Sequence, residues 1–596
     1  MKNASAFLSS LWIKCTAHCV GRLLAALLVS MSLGASYACA AEPEGGLLYV
    51  YRSETTVRYF KSQKQSYEQI IRRWTPYLKK YGEYAKNLNR NELLTVVPPG
   101  VLILPSAVAL DEQERAAISR FVALGGSVLG SGLVGTRDGQ GSFVGLDFLH
   151  QTFNVRSHGY FPRSDNTFFM PFGDGPVTWP IPAGRRMSIV TGQDSVLRIS
   201  AEHESAVVMD WARSMPTEPH GVMAFDEKGK SRVAYFSPPD NAWPNSKDAT
   251  LLLDATLAWL RREPQAYKAA WPQGYVASHL FEMDTEERFD SAPNFAKHLE
   301  SEGFKGTFYS LTTEAVRVPE VVRDLIKRGH EIAYHADVHF GFKGDSVGEQ
   351  ELRILFMKQQ MQGILGERTK EATGFRAPTE SYDARTEILL RKHGLLHHAA
   401  DISANDDRLP FFSISEPGVP PDQALVVLPR TQLDDVAFTA MKFTPAQVNT
   451  LLNYDLDLTM RSGAFGLLSV HSQNYVEGGL MLRSMGEYIR KVASYRDRLW
   501  VARGDEITRW WRQRAAVQVD QQWQDGGLQV SVKNTNPGPV AGLTVFVTLP
   551  GKNAPVRVDA TPKTTAVRIK TIDAFRAALV FDSLPPGGTQ LRVRFR

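Results

Sequence analysis

Cysteine is nearly absent: the 596-residue chain has three, Cys15, Cys19 and Cys39, all within the first forty positions. Beyond Ala40 there is therefore no disulfide and no thiol nucleophile, and stability must come from apolar cores. No segment after that point is long and apolar enough for a bilayer-spanning helix. Nor does one sign of charge dominate. The formal net charge is +5, and Lys2, Lys14 and Arg22 account for three of it, leaving +2 for the rest. That near balance gives no support for nucleic-acid binding.

The three leading cations precede an apolar run from Leu23 to Ala35, and Ala38-Cys39-Ala40 puts small residues where a peptidase would cut. This pattern predicts a signal peptide over 1–40, cleaved near Ala40-Ala41, and a periplasmic or secreted protein. A lipid-anchored reading at Cys39 is the alternative, but Ser36 and Tyr37 fit it poorly.

The length predicts about three domains. Over 41–262, apolar runs at 47–51, 101–105 and 127–129 alternate with a helical pattern through Ala116, Ile118, Phe121 and Val122 that stops at Gly125-Gly126. That order predicts a flavodoxin-like parallel α/β domain. It resembles the class I glutamine-amidotransferase-like domains that accompany carbohydrate-active enzymes. Their enzymatic members carry a cysteine at the strand-to-helix elbow; here the nearest hydroxyl is Ser106, read as a turn residue, so the domain is expected to be non-catalytic. Residues 263–274 are rich in proline and glycine and are read as a linker. Over 516–596, runs such as Leu528–Val532 and Leu543–Val547 alternate with period two, predicting a small β-sandwich.

Between these, 275–515, lies the stretch Gly329-His330-Glu331-Ile332-Ala333-Tyr334-His335-Ala336-Asp337-Val338-His339. Read as one helical turn, it puts His335 and His339 on a common side, spaced to grip a metal ion. Alone the spacing is common by chance. Its company is less so: Glu282-Met283-Asp284 upstream, Arg376-Ala377-Pro378 and Leu468-Ser469-Val470-His471 downstream, each at or after an expected strand end. His279, His330, His393, His397 and His398 have no motif role and are taken as structural, as are Trp510 and Trp511.

This ordered set resembles the polysaccharide deacetylase family (NodB homology domain, carbohydrate esterase family four). The resemblance implies a distorted (β/α) barrel. It also implies Glu282 as general base, Asp284, His335 and His339 as metal ligands, Arg376 as the residue orienting the base, and His471 as general acid. The family's base is usually aspartate, so glutamate is a departure. The implied cofactor is a divalent ion, zinc first, with cobalt, nickel or manganese as alternatives. One carboxylate and two imidazoles leave positions open for catalysis. The implied substrate is a polysaccharide of N-acetylated sugars, with an exopolysaccharide or cell-wall machinery partner. The leading expectation is a de-N-acetylase. A carbohydrate O-acetyl esterase and a catalytically inactive glycan-binding or assembly protein are the alternatives.

Overall fold

Short aliphatic runs bounded by glycine and proline bury both faces, as strands in the middle of a sheet must. Leu47–Tyr51, Gly100–Leu104 and Ser127–Ser131 do so, pairing in parallel, with Ala85–Leu88 on one side and Ser231–Phe236 on the other. The computed structural model describes residues 46–161, 168–188, 196–209, 221–242, 246–401, 407–524 and 526–595; the expected leader over 1–40 lies outside them. Helix Glu112–Ala123 opens on a capping box in which Asp111 accepts from Glu114 N and Glu114 from Asp111 N, at 2.8 and 2.6 Å.

The sheet then departs from the all-parallel expectation. Gly229, at φ +59°, reverses the chain, so that Gly221–Lys228 pairs antiparallel with Ser231–Phe236. Glu204–Met209, Phe168–Pro171 and Met187–Ser188 continue outward, giving a mixed sheet of eleven strands.

A second sheet carries the motif residues. Its parallel strands lie in the order Val426–Arg430, His397–Asp401, Gly374–Arg376, Glu331–Tyr334, Thr307–Ser310, Ala277–Thr285 and Phe465–His471. Helices including Ala292–Ser301, Pro319–Lys327, Val347–Leu365 and Leu480–Ala493 cover it and share one apolar core with it. Among the described residues no ladder joins the two ends. Gln432 N donates to Leu467 O at 3.3 Å and Leu467 N to Thr431 Oγ1 at 2.8 Å. Closure of this sheet into the expected barrel is therefore not shown by a strand ladder; beyond Val426–Arg430 lies the antiparallel Phe411–Phe412.

The remaining described strands form two four-stranded antiparallel sheets and a two-stranded one (Val540–Ala541 with Ser583–Leu584), largely from residues 517–595, with a shared apolar cluster that includes Val530, Val532, Val545, Leu579 and Val593. The segment read as a linker is structured. Ala266–Lys268 pairs antiparallel with Val545–Val547 as the edge strand of one of these sheets. Trp271 follows, buried against Phe465, Trp500 and Trp511, with Nε1 donating to Gly463 O at 2.9 Å. Burying such a ring contributes roughly 3–5 kcal/mol. Trp510 and Trp511 are likewise buried. No described helix is long and apolar enough to cross a membrane.

Candidate metal centre and catalytic cleft

Side chains two apart on a strand share a face, so Glu282, Asp284 and Glu286 rise in a ladder along and just past Ala277–Thr285. Glu282 is deepest. It is fully buried, its Oε1 accepts from Arg376 Nη1, and it does not line the cleft. Burial pushes its carboxyl up to about 8, with Arg376 opposing and Asp284 reinforcing the rise. Asp284 stands one step higher, on the cleft wall, with Oδ2 2.8 Å from Arg376 Nε. Glu286 lies past the strand end. Its backbone N donates to Ser472 Oγ at 2.9 Å and its Oε2 accepts from Gln473 Nε2.

The histidine stretch is not the helical turn expected. Glu331–Tyr334 is a strand that ends before His335, and Ala336 at φ +88° swings the chain into a loop. The loop still brings the rings together, tilted, with centroids 5.5 Å apart. Both point their Nε2 at one oxygen: Glu286 Oε1 is 3.2 Å from His335 and 2.8 Å from His339. The ligand atoms of Glu286, His335 and His339 all lie within 4.8 Å of one another. Asp284, the carboxylate expected there, is 3.8 Å from His335 Nδ1 and paired with Arg376, and it forms a second candidate ligand group with Glu286 and His471, also within 4.8 Å.

This trio suits a divalent cation. His335 Nδ1–H donates to the Arg376 carbonyl at 3.0 Å, which fixes the tautomer. Its Nε2 then turns a lone pair on a carboxylate oxygen, an arrangement that repels unless a proton or metal ion lies between. Burial opposes the charge of Glu286, yet the His335 hydrogen bond and the charges of His335, His471 and His339 hold its carboxyl down to about 2.

Across the cleft, His471 ends the strand Phe465–His471. Its Nδ1 is 2.7 Å from Asp435 Oδ1, and Nε2 faces Asp284 Oδ2 at 3.6 Å. Burial would pull its pKa down, but the hydrogen bond and charge of Asp435, with Asp284 and Glu286 behind, raise it to about 9. Arg376 is buried among three carboxylates, Glu282, Asp284 and Glu380. They outweigh desolvation and keep it firmly charged. Arg430 then bridges Glu380 and Asp434, at 2.8 and 2.6 Å. The cleft so lined has a volume of about 400 Å³. Thr379 on its wall holds φ +55°, a conformation costing a non-glycine residue of order 1–3 kcal/mol and typical of functional loops.

The structure therefore gathers Asp284, His335, His339, Arg376 and His471 around one cleft and leaves Glu282 beneath it. Glu286 and Asp435 were missed. The period-two spacing pointed to Glu286; Asp435 belongs to a distant segment and gave no local signal. The five histidines taken as structural pair with Tyr488, Glu300, Glu351, Glu331 and Glu387. Ser106 is 1% exposed, with Oγ donating to Asp240 Oδ2 at 2.8 Å.

Residues 284–397 match the polysaccharide deacetylase family. The match begins at Asp284, includes Glu286, both histidines and Arg376, and ends before Asp435 and His471. Solved structures resemble the chain at low identity and low TM-score. A Mycobacterium smegmatis protein named for polysaccharide deacetylase is 22% identical over 41% of this chain and 92% of its own, with a TM-score of 0.35. Agd3, a carbohydrate deacetylase, is 10% identical over 92% of this chain and 98% of its own, with a TM-score of 0.43. A family 4 carbohydrate esterase pseudoenzyme from Bacillus anthracis is 10% identical over 41% of this chain and 68% of its own, with a TM-score of 0.29. No curated protein matches the chain. With TM-scores below 0.5, function must be argued from the site.

Proposed function

From the deacetylase match over 284–397 and the geometry of the cleft, we propose that this chain is a metal-dependent hydrolase removing N-acetyl groups from amino sugars of a polysaccharide. Glu286, His335 and His339 would hold the divalent ion, zinc first among the candidates. When bound, such an ion lowers the pKa of water from about 15.7 toward ~7 and polarises the acetamide carbonyl. Asp284, rather than Glu282, takes the proton of the attacking water. It faces the cleft with its carboxylate fixed by Arg376, whereas Glu282 is buried under it. As the water oxygen bonds to the acyl carbon and the C–N bond breaks, His471 passes its Nε2 proton to the departing nitrogen. Asp435 on Nδ1 keeps the ring aimed. The products are acetate and a free amine.

The observation that carries this reading is the Asp435–His471 pair set opposite Asp284. An amide nitrogen cannot leave unprotonated, while an ester oxygen can, so a built general acid favours the amide over the O-acetyl ester. With the base at Asp284, the unusual glutamate no longer speaks for an inactive glycan-binding role, which then rests on the two flanking domains alone. Acetate release from chito-oligosaccharides is expected to stop on chelation and return with a divalent ion. Faster release from O-acetylated xylan would favour the esterase. No release with any ion, with polymer binding retained, would favour the inactive protein.

The proposal extends to location and to the N-terminal part. We place the protein in the periplasm or outside the cell, beside exopolysaccharide or cell-wall machinery, on the strength of the leader pattern and the missing cysteines. The exported chain is expected to begin at Ala41 by N-terminal sequencing; one that retains Met1 would contradict this. The amidotransferase-like reading of 41–262 is kept as a non-catalytic scaffold, consistent with a buried Ser106 bonded to Asp240.

A further inference from the structure

Phe340 follows His339 directly, and at 72% exposure it is the most exposed aromatic side chain among the described residues. A lone exposed ring on a floppy loop would mean nothing. This loop is not floppy. Arginine has five N–H donors in a rigid fork, and Arg353 spends all five on it. Nε donates to Asp337 Oδ1 at 2.9 Å, Nη1 to Gly341 O at 2.7 Å and Asp345 Oδ2 at 3.2 Å, and Nη2 to Phe340 O at 2.8 Å and Val338 O at 3.3 Å. The guanidinium also lies over the Phe342 ring, 4.0 Å from its centroid. Phe342 is buried edge-on against Phe375, and its backbone N donates to Ser381 O at 2.7 Å, tying the loop to the segment that follows Arg376. A backbone fastened at so many points leaves Phe340 in water by construction. His339, the residue before Phe340, lines the cleft, and so does Val436, which is half exposed.

We propose that Phe340 is a specificity-determining residue whose ring takes the apolar C–H face of a pyranose in an N-acetylated amino-sugar polymer, on a platform held in place by Arg353. The chemistry is the reason for naming a sugar. A pyranose offers a flat apolar face rimmed by hydroxyls, and it gains from an aromatic surface fixed beforehand, because little ordering remains on binding. The inference rests on the proposed function for the identity of the substrate, but its test does not depend on turnover.

The experiment compares wild type, Phe340→Ala and Phe340→Trp, all loaded with the same divalent ion. Chitopentaose binding is read by calorimetry, and the KM for chitopentaose is set against that for 4-nitrophenyl acetate, which has no sugar. Phe340→Ala is expected to weaken chitopentaose binding and raise its KM about tenfold. The KM for the small ester and the bound metal should stay unchanged, and Phe340→Trp should retain binding. Equal chitopentaose affinity in wild type and Phe340→Ala overturns the proposal, as does a wild type that does not bind it. An equal rise in both KM values with loss of metal also overturns it, because the ring would then act through His339. A wild type that binds the oligomer but releases no acetate sinks the proposed activity while leaving Phe340 to be judged by its binding difference.

Discussion

Asp284→Asn is expected to cut acetate release by roughly 10²–10⁴-fold, the usual contribution of a positioned base, while the protein keeps its metal. Asparagine is nearly isosteric and can still accept from Arg376 Nε, so the wall of the cleft should stand. Glu286→Ala should abolish turnover for a different reason. Without that carboxylate the two imidazoles have no anionic partner, and metal content measured by elemental analysis should fall with activity. Glu282→Gln should do neither strongly, since a neutral amide oxygen can still accept from Arg376 Nη1. The three variants separate the rungs of the acidic ladder. A Glu282→Gln protein that keeps its metal but is inactive, beside an active Asp284→Asn, would return the base role to the deeper residue.

The second large effect concerns proton donation. His471→Ala should lose roughly 10²–10⁴-fold on an N-acetyl substrate but much less on 4-nitrophenyl acetate, whose leaving group departs unaided. Asp435→Asn is the subtler probe. With its hydrogen bond and charge in place, the imidazole stays protonated to about pH 9. The wild-type rate should therefore fall along an alkaline limb near that value. Removing the Asp435 charge should move the limb down toward the ordinary histidine value of about 6.5. The same linkage has a sign for stability. A pKa raised on folding means the contribution is fully present below about pH 6.5 and is lost as pH climbs through about 9. An alkaline limb that stays put in Asp435→Asn would remove His471 from the acid role.

The segments that meet at the cleft were legible in the sequence, and the proposed base and carboxylate ligand lie two residues beyond those the sequence reading favoured. The sequence places Glu282-Met283-Asp284 at a strand end, because the unbroken apolar run stops at Phe281. The strand runs on to Thr285, since Glu282 and Asp284 are carried inward by the guanidinium of Arg376, a partner from a remote part of the chain. Pairing within the sheet thus extended a strand that local polarity seemed to end, and brought Asp284 and Glu286 to the cleft. His335 and His339 were found by spacing but for a geometric reason that did not hold, as Ala336 in a left-handed conformation does what a helical turn was expected to do. The mixed N-terminal sheet turned on one reversal at Gly229, and the antiparallel strands beyond it carry little periodicity of their own.

The three residues Ala266–Lys268 alter what the C-terminal sheets can do. A peptide that looked like slack rope between modules is stapled into the fabric it was thought merely to reach. The chain enters the sheet of the cleft from that staple and leaves it into the neighbouring strands of the same end sheets. A swinging arm that feeds polymer into the cleft would have to tear this seam first.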